Sequence, residues 1–299
     1  MSQWDGIEEF VAVAQQGSFK RAAEVLGLSS SHVSRAVMRL EERLQSTLFF
    51  RTTRQVSLTD TGRSLFQHCE QLVQDRDEAF ALIGGDREPV GELRVTCAVS
   101  LGERFVAPIV RALMQDYPRL SVTVDLSNQR RDLVADGFDM AIRTGVMDDP
   151  RYIQTLIARR NWQVCASHTY LAQHKKPKTV EDLASHECVM GSSETWKFEV
   201  DGEPVMFRPK GRFKCNSGSA VVEAVKAGLG ICQLPDFYLS EGIASGELVP
   251  LLKKSLPPAE PVWAAYPQRR HLMPKVQKLV ERLRAELGPA MGGAPLETE

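Results

Sequence analysis

The chain has 299 residues and a formal net charge of −1 at neutral pH, with 43% hydrophobic and 25% charged residues. This composition is ordinary for a folded globular protein and excludes a fibrous or low-complexity chain, and the length suffices for two or three compact units. The first residues lack the basic and apolar regions of a signal peptide, and no apolar run approaches the roughly 18 residues of a transmembrane helix. We therefore expect a cytoplasmic protein with no membrane partner.

The cysteines and histidines form no metal or redox motif. The six cysteines include no CxxC pair, and most lie in apolar, strand-like surroundings, which favours buried inert thiols over a redox switch. The six histidines show no metal-ligand spacing. We expect neither a metal nor another cofactor.

Two short helices are predicted at the N-terminus. The first ends at Gly17 and has an apolar face of Trp4, Ile7, Phe10, Val11 and Ala14. Ser18 is placed to cap the second, whose apolar face is Phe19, Ala22, Ala23 and Leu26. Gly27 supplies the left-handed residue that ends a helix, Leu28 is expected to fill the corner, and Ser29 caps a third helix. Two helices joined by so tight a turn are typical of a helix-turn-helix motif.

The third helix divides its residues between two faces. Its buried stripe is predicted to be Val33, Val37, Leu40 and Leu44, and the residues left outside are Ser30, Ser31, His32, Ser34, Arg35, Met38 and Arg39. Small hydroxyl side chains at a helix N-terminus let the backbone approach a phosphate, and Arg35 follows one turn later, within reach of a base edge or a phosphate. The alternative is that the serines are only caps and the arginines only a solvated face.

A short basic hairpin, which we call the wing, is predicted after this helix. Residues 48–51 and 56–58 are predicted as its strands, with Thr52, Thr53, Arg54 and Gln55 at the tip. Residues 18–58 include seven basic and three acidic residues, a surplus of four positive charges in a slightly negative chain. A local surplus of this kind is typical of a surface that faces phosphates.

Short motifs run through the whole segment: Ser18-Phe19, Ala22-Ala23, Val33-Ser34-Arg35, Arg39-Leu40-Glu41, Leu48-Phe49, Arg51-Thr52, Leu58-Thr59 and Gly62. In these motifs the segment resembles the N-terminal winged helix-turn-helix of the LysR-type transcriptional regulators. It differs at Ser30-Ser31-His32, where members often carry Gln-Pro-Ala. Pattern and resemblance together predict DNA contacts from Ser18, Lys20, Ser29, Ser30, Ser31, His32, Ser34, Arg35, Arg39, Arg51, Thr52, Thr53 and Arg54.

A long helix is predicted from its N-cap Thr59 to about Ile83. Its apolar residues recur at heptad-like spacing and form a wide band of Leu65, Phe66, Cys69, Leu72, Val73, Ala79, Phe80 and Ile83. Such a helix spans about 36 Å and has no core of its own, so we expect a second chain to cover the band. The alternative is a helix folded onto its own domain. The resemblance implies the linker helix through which these regulators dimerise, and residues 84–89 are predicted to form a hinge.

From about residue 91, strands and helices alternate. Strands are predicted near 93–99, 120–126, 138–143, 163–166, 213–215 and 231–234. Helices are predicted at 103–115, in a separate stretch that ends near Gly137, and at 219–227 and 274–287. This order predicts an α/β fold with a mostly parallel sheet and helices on both faces.

Residues 137–143, 227–231 and 234–236 resemble the sensing part of the same family, a two-lobed α/β effector domain with the type 2 periplasmic-binding-protein fold. By this resemblance the chain enters the second lobe near Trp162 and returns near Pro267. We therefore expect a winged helix-turn-helix at 1–59, a linker helix and hinge at 60–87, and a two-lobed domain at 88–288 with its second lobe at about 163–267. The Gly- and Pro-rich tail, 289–299, is predicted to be disordered.

Ligands of open α/β folds bind beyond the carboxyl ends of strands, where helix N-termini offer free N–H groups. Three places fit: residues 99–101, 143–145 and 215–219. Each alone is more typical of a cap or turn, but the resembling family lines its cleft at these positions. The predicted effector pocket is Ser100, Leu101, Leu126, Thr144, Gly145, Asn216, Ser217, Gly218 and Phe237. Its hydroxyls and helix N-termini favour a carboxylate, and its apolar members suit an aromatic or aliphatic body.

The sequence thus predicts a sequence-specific transcriptional regulator controlled by a small-molecule effector. It is expected to bind pseudo-palindromic promoter DNA as a homodimer or homotetramer. An enzyme is not predicted, because no G-x-S-x-G, HExxH, P-loop or G-x-G-x-x-G motif occurs. The alternatives are a solute-binding protein or an enzyme on the two-lobed fold. The lack of a signal peptide counts against the first, and the wing with its linker helix counts against both.

Overall fold

A computed structural model describes residues 4–51, 56–83, 88–145, 149–270, 273–293 and 296. The chain divides into two compact units, residues 1–87 and 88–299. Of the helices in the described ranges, none has the length and apolar character needed to cross a bilayer.

The first unit contains the predicted helix-turn-helix. Its elements are α1 (Ile7–Gln16), α2 (Phe19–Leu26), α3 (Ser30–Leu44), β1 (Phe49–Arg51), β2 (Val56–Leu58) and α4 (Asp60–Ile83), with β1 and β2 antiparallel. The Ser18 hydroxyl accepts a hydrogen bond from the Arg21 N–H, and the Ser29 hydroxyl accepts one from the His32 N–H. Gly27 has the left-handed conformation (φ 65°) that ends α2. The predicted caps and turn are confirmed.

The core of this unit joins the three helices to the hairpin. Phe10, Val33, Val37, Leu40 and Phe49 are all buried, and the rings of Phe10 and Phe49 lie 5.4 Å apart. Two predicted core residues lie outside it, since Leu28 and Leu44 are each 42% exposed. The Leu28 N–H bonds back to the Ala23 carbonyl, so the chain turns with this side chain outside. Leu44 is the last residue of α3, where the apolar stripe outlasts the core.

Helix α4 packs partly against its own unit. Cys69 is buried, and Leu65, Phe66 and Val73 pack against the core formed by α1 to α3 and the hairpin, which together we call the head. The Gln15 amide donates to Glu70 over 3.0 Å, and Arg76 forms an ion pair with Glu8. This part of the apolar band is therefore covered by the helix's own unit, which was the alternative to a second chain. Leu72 and Phe80 remain 50% and 66% exposed, and residues 84–87 of the predicted hinge lie outside the described residues.

The second unit has the following elements in chain order: β3 (Gly91–Cys97), α5 (Val99–Leu101), α6 (Ala107–Asp116), β4 (Leu120–Leu126), β5 (Met140–Thr144), β6 (Tyr152–Arg160), β7 (Trp162–Ser167), α7 (His168–Gln173), β8 (Val189–Met190), β9 (Trp196–Val200), β10 (Glu203–Phe207), β11 (Phe213–Lys214), α8 (Gly218–Lys226), β12 (Cys232–Pro235), α9 (Asp236–Ala244), β13 (Leu248–Leu251), β14 (Glu260–Pro267) and α10 (Pro274–Ala290).

The first lobe is built on a mixed sheet in the order β4-β3-β5-β14-β6. Strand β3 is parallel to β4 and β5, whereas β14 is antiparallel to β5 and β6. Because β14 is antiparallel to both β5 and β6, strand β6 runs in the same direction as β3, β4 and β5, and the mostly parallel sheet that the sequence predicts is correct for these four strands. Only β14 of this sheet is reversed, because it returns the chain from the second lobe and enters the sheet from the opposite end.

The second lobe contains an antiparallel sheet in the order β12-β7-β13, a parallel pair β8-β11 and the hairpin β9-β10. The chain enters it after Arg160, as predicted near Trp162. The predicted return near Pro267 is wrong by one strand, because residues 260–267 form β14 of the first lobe. The crossover back therefore precedes Glu260.

Three local predictions are also corrected. Val99 does not extend β3 but begins α5, which continues through a π-helical turn (Gly102–Val106) into α6. Residues 133–137 form a turn rather than the end of a helix. The last helix runs to Ala290, and Met291 is 6% exposed, so the tail is ordered through these residues. Its Gly and Pro residues did not prevent order because the apolar Leu287 and Met291 anchor it in the core of the first lobe.

Candidate DNA-binding surface and effector cleft

The predicted reading face lies at the N-terminal end of α3. Ser30, Ser31, His32 and Arg35 are exposed there. Arg39, further along α3, and Lys20 on α2 are also exposed, while Ser18 and Ser34 are partly buried. The Ser18 and Ser29 hydroxyls are occupied as helix caps. The remaining exposed side chains combine hydroxyls with cations at the positive end of a helix dipole, an arrangement that favours an anionic partner.

Several of these side chains are held by their own unit. The Arg35 Nε donates to the Ser31 carbonyl over 3.2 Å, and the hydroxyls of Ser29 and Ser31 lie 3.0 Å apart. The His32 Nε2 lies 3.4 Å from the Glu9 carboxylate on α1, so part of its hydrogen-bonding capacity is directed inward. The face is therefore partly preordered rather than a set of free side chains.

The wing strands begin at a specific anchor. The Glu41 carboxylate on α3 accepts hydrogen bonds from the N–H groups of Leu48 and Phe49, at 2.8 and 3.2 Å. This contact fixes where the hairpin leaves the head. The predicted wing contacts Thr52, Thr53 and Arg54 lie outside the described residues, as does the side chain of Arg51.

A cleft of about 1000 Å³ is lined by both lobes of the second unit. It contains six of the nine predicted effector residues, namely Ser100, Leu101, Thr144, Asn216, Gly218 and Phe237. These residues come from separate strand and helix ends, so the fold brings together what the sequence placed apart. A cleft of this volume is at the upper end of the range for small-molecule sites.

The other three predicted residues do not line the cleft. Leu126 packs beneath Gly102, where an added Cβ would lie 2.2 Å from the leucine side chain. The Gly145 carbonyl accepts a hydrogen bond from the Trp263 indole over 2.9 Å, so Gly145 contacts β14 and not the cleft. The Ser217 hydroxyl accepts one from the Ala220 N–H as the cap of α8. These three predictions are corrected.

The cleft contains arginines that the sequence prediction did not include: Arg130, Arg131, Arg143, Arg151 and Arg160. Two of them are neutralised. Arg151 bonds to both Asp132 and Asp149, and backbone N–H donation and Arg151 together lower the Asp132 pKa to about 2. Arg160 bonds to Glu260 over 2.6 Å, and Glu260 also receives Lys197 across the lobes at 3.3 Å.

Arg143 has a different environment at the end of β5. Its Nη2 donates to the Thr96 hydroxyl and the Gln129 carbonyl, at 2.9 and 3.3 Å, and its Nη1 donates to the Ile142 carbonyl. Within the described part of the chain it forms no ion pair with a carboxylate. Burial lowers its pKa, while Cys97 and Asp125 act in the opposite sense. The only feature of the sequence that indicated a place for Arg143 in the cleft was its position at a strand end.

The wall of the cleft from the second lobe and crossover is aromatic. Trp162, Phe237 and Tyr238 line it. Phe237 lies edge-on to Phe105, with ring centroids 5.2 Å apart, and its carbonyl accepts a hydrogen bond from Arg104 over 3.0 Å. Phe237 thus connects α9 to the first lobe as well as facing the cleft. Gly218 leaves room for the Tyr238 ring, which an added Cβ would approach to 2.3 Å.

A winged helix-turn-helix followed by a two-lobed domain with a ligand-sized cleft defines a class of protein, the ligand-responsive DNA-binding regulators. Residues 4–63 match a family model described as the bacterial regulatory helix-turn-helix protein, lysR family, and residues 86–288 match the LysR substrate binding domain. The chain belongs to the LysR family. It is therefore a DNA-binding transcriptional regulator with a ligand-binding domain.

Individual relatives agree with this assignment. The HTH-type transcriptional activator AaeR of Escherichia coli is 32% identical over 92% of this chain and 90% of its own length. The HTH-type transcriptional regulator CrgA of Neisseria meningitidis is 33% identical over 95% and 97%. Among solved structures, CrgA has a TM-score of 0.58 at 32% identity, covering 93% of this chain and 98% of that one. The full-length Vibrio cholerae virulence activator AphB has a TM-score of 0.59 at 26% identity, covering 94% and 98%.

Proposed function

We propose that the head reads promoter sequence through the first turns of α3 and grips the DNA backbone through the wing. Ser30, Ser31, His32 and Arg35 are assigned to base edges or adjacent phosphates, and Arg51, Thr52, Thr53 and Arg54 to the backbone. The observation that carries the proposal is the exposure of hydroxyl and cationic side chains around the N-terminus of α3. Lys20, Ser34 and Arg39 flank this turn and extend the contact.

The regulator acts as a homodimer or homotetramer on pseudo-palindromic DNA in the cytoplasm, where bacterial promoters lie. Leu72 and Phe80 support the assembly, since α4 leaves both side chains exposed. Two-fold related heads require half-sites about one helical turn apart, or a multiple of that distance. The effector is a small organic acid bound in the cleft, which changes DNA binding by favouring one arrangement of the assembly.

Paired variants test the roles within the head. Arg54→Ala is expected to weaken binding to specific and random DNA alike and to lower the salt dependence, because a phosphate contact is lost. Arg35→Ala is expected to change base preference at one position of each half-site, by about 1 to 3 kcal/mol. Binding to an operator, its point variants and random duplex would be compared over a salt series. Equal losses on every duplex for both variants would refute the assignment.

A further inference from the structure

The first-lobe end of the cleft has more positive charge than its carboxylates neutralise. Arg151 and Arg160 are already paired, as described above. Arg143, Arg131 and Arg130 remain, and near them Asp125 lies 4.0 Å from Arg131 and accepts a hydrogen bond from Thr96. Since Arg151 is shared by Asp132 and Asp149, four guanidinium groups face three carboxylates here, and the surplus of one positive charge leaves a site suited to an anion.

Arg143 is the most enclosed of these three arginines, since Arg130 and Arg131 are exposed. A guanidinium has five N–H donors, and three hydrogen bonds from Arg143 are found, to Thr96, Gln129 and Ile142. Both Nη2 hydrogens are taken, so the Nε–H and one Nη1–H remain, and each can donate one charge-assisted hydrogen bond to a ligand carboxylate. The neighbouring contacts also hold the guanidinium in place, so a ligand need not pay the full cost of ordering it.

The helix N-termini are weaker candidates for the anion than the sequence indicated. The Val99 N–H at the start of α5 donates to the Asn128 side chain over 3.1 Å. At the start of α8, the Ala220 N–H is taken by Ser217. An anion at either terminus would have to displace a cap or share its donors, whereas Arg143 offers both charge and unused donors.

The rest of the cleft is suited to a flat apolar group. Trp162, Phe237 and Tyr238 present three aromatic side chains to the same cavity, with Leu101 and Leu234 beside them. Aromatic faces pack against a ring in stacked or edge-on geometry and add to the burial of its apolar area. A ligand that satisfies both parts of the cleft carries a carboxylate and an aromatic ring.

We propose that the effector is an aromatic carboxylic acid whose carboxylate is bound by Arg143 and whose ring packs against Trp162, Phe237 and Tyr238. This rests on the proposed function only in taking the cleft as the effector site. It makes Arg143 the residue that distinguishes acids from their neutral analogues.

Calorimetric titration of the full chain tests the proposal with benzoate, its neutral isostere benzamide, and acetate. Benzoate is expected to bind the wild-type protein more tightly than either of the other two. Arg143→Gln is expected to weaken benzoate binding about tenfold or more, and Arg143→Lys by less, because a charge without the planar fork remains. The control Arg111→Gln removes an exposed charge from α6, away from the cleft, and should leave the affinity unchanged.

Equal benzoate affinities of the wild type and Arg143→Gln would overturn the proposal. So would benzamide binding the wild type as tightly as benzoate, a comparison that needs no variant to fold. If benzoate, phenylacetate and cinnamate all fail to bind the wild type, the ligand class is wrong. The proposed function fails separately, if the ligand-free wild type protects no promoter DNA. Arg143→Gln should keep that protection, because the residue lies in the ligand-binding unit.

Discussion

A buried charge cluster closes one side of the first lobe. Asp139 is 2% exposed and lies 3.1 Å from the Arg270 guanidinium and 3.8 Å from the Lys275 ammonium. Its carboxylate also accepts the Arg94 N–H over 2.8 Å. The cluster joins the middle of β3 and the start of β5 to the start of α10. Buried cations of this kind are tolerated only while their counter-charge is present.

Asp139→Asn is therefore expected to destabilise the protein by about 3 to 5 kcal/mol, because two buried cations lose their carboxylate. Urea denaturation followed by circular dichroism would measure the change. Glu281→Gln is the matched control, since its pair with Lys278 is largely exposed and should contribute less than about 1 kcal/mol. Similar losses for the two variants would contradict this account of the cluster.

Residue-level prediction from the sequence succeeded where the interaction is local. The caps Ser18, Ser29 and Gly27 were predicted because each acts on the backbone within a few residues. The ion pair of Arg151 with Asp132, and the lack of an ion pair for Arg143 among the described residues, depend on segments far apart in the chain and could not be predicted.

Five cysteines are buried as expected, and burial raises the pKa of Cys97 and Cys165 to about 12, which supports inert thiols.

At the scale of elements, helices were predicted better than strands. Helices α1 to α4 have strong local apolar patterns and flanking caps. Strands β6 and β14 were missed because their partners are distant and both of their faces are covered, so neither shows simple alternation. Only six of the nine predicted effector residues line the cleft, because a residue at a strand end can point into the cleft, cap a helix or pack underneath.

The wing offers a prediction at this scale. Glu41→Ala removes the acceptor for the Leu48 and Phe49 N–H groups and is expected to destabilise the head by about 1 to 3 kcal/mol. DNA affinity should fall on specific and random duplexes together, because the hairpin is no longer fixed while α3 keeps its reading side chains. Thermal melting and filter binding would measure both effects. Glu42→Ala, at the next and exposed position, should change neither, and a loss of equal size there would refute the anchor.

At the scale of the whole molecule, α4 carries an apolar surface that its own unit leaves partly uncovered. Its inner face packs on the head, and Leu72 and Phe80 are left exposed. Phe80→Ser is expected to weaken self-association by about tenfold or more, since a large apolar side chain leaves the interface. Sedimentation over a concentration series would show it. Met206→Ser, at an exposed site on β10, is the control, and an unchanged mass distribution for Phe80→Ser would place the interface elsewhere.

The central claim is that one chain joins sequence-specific DNA reading to a cleft that senses a small molecule. It is tested most directly by footprinting the purified full-length protein on DNA upstream of its own reading frame, with and without a ligand shown to bind the cleft. We expect two protected half-sites about one helical turn apart, or a multiple of it, whose occupancy or extent changes with the ligand. A single unrepeated contact, or a footprint that no cleft ligand alters, would contradict the account.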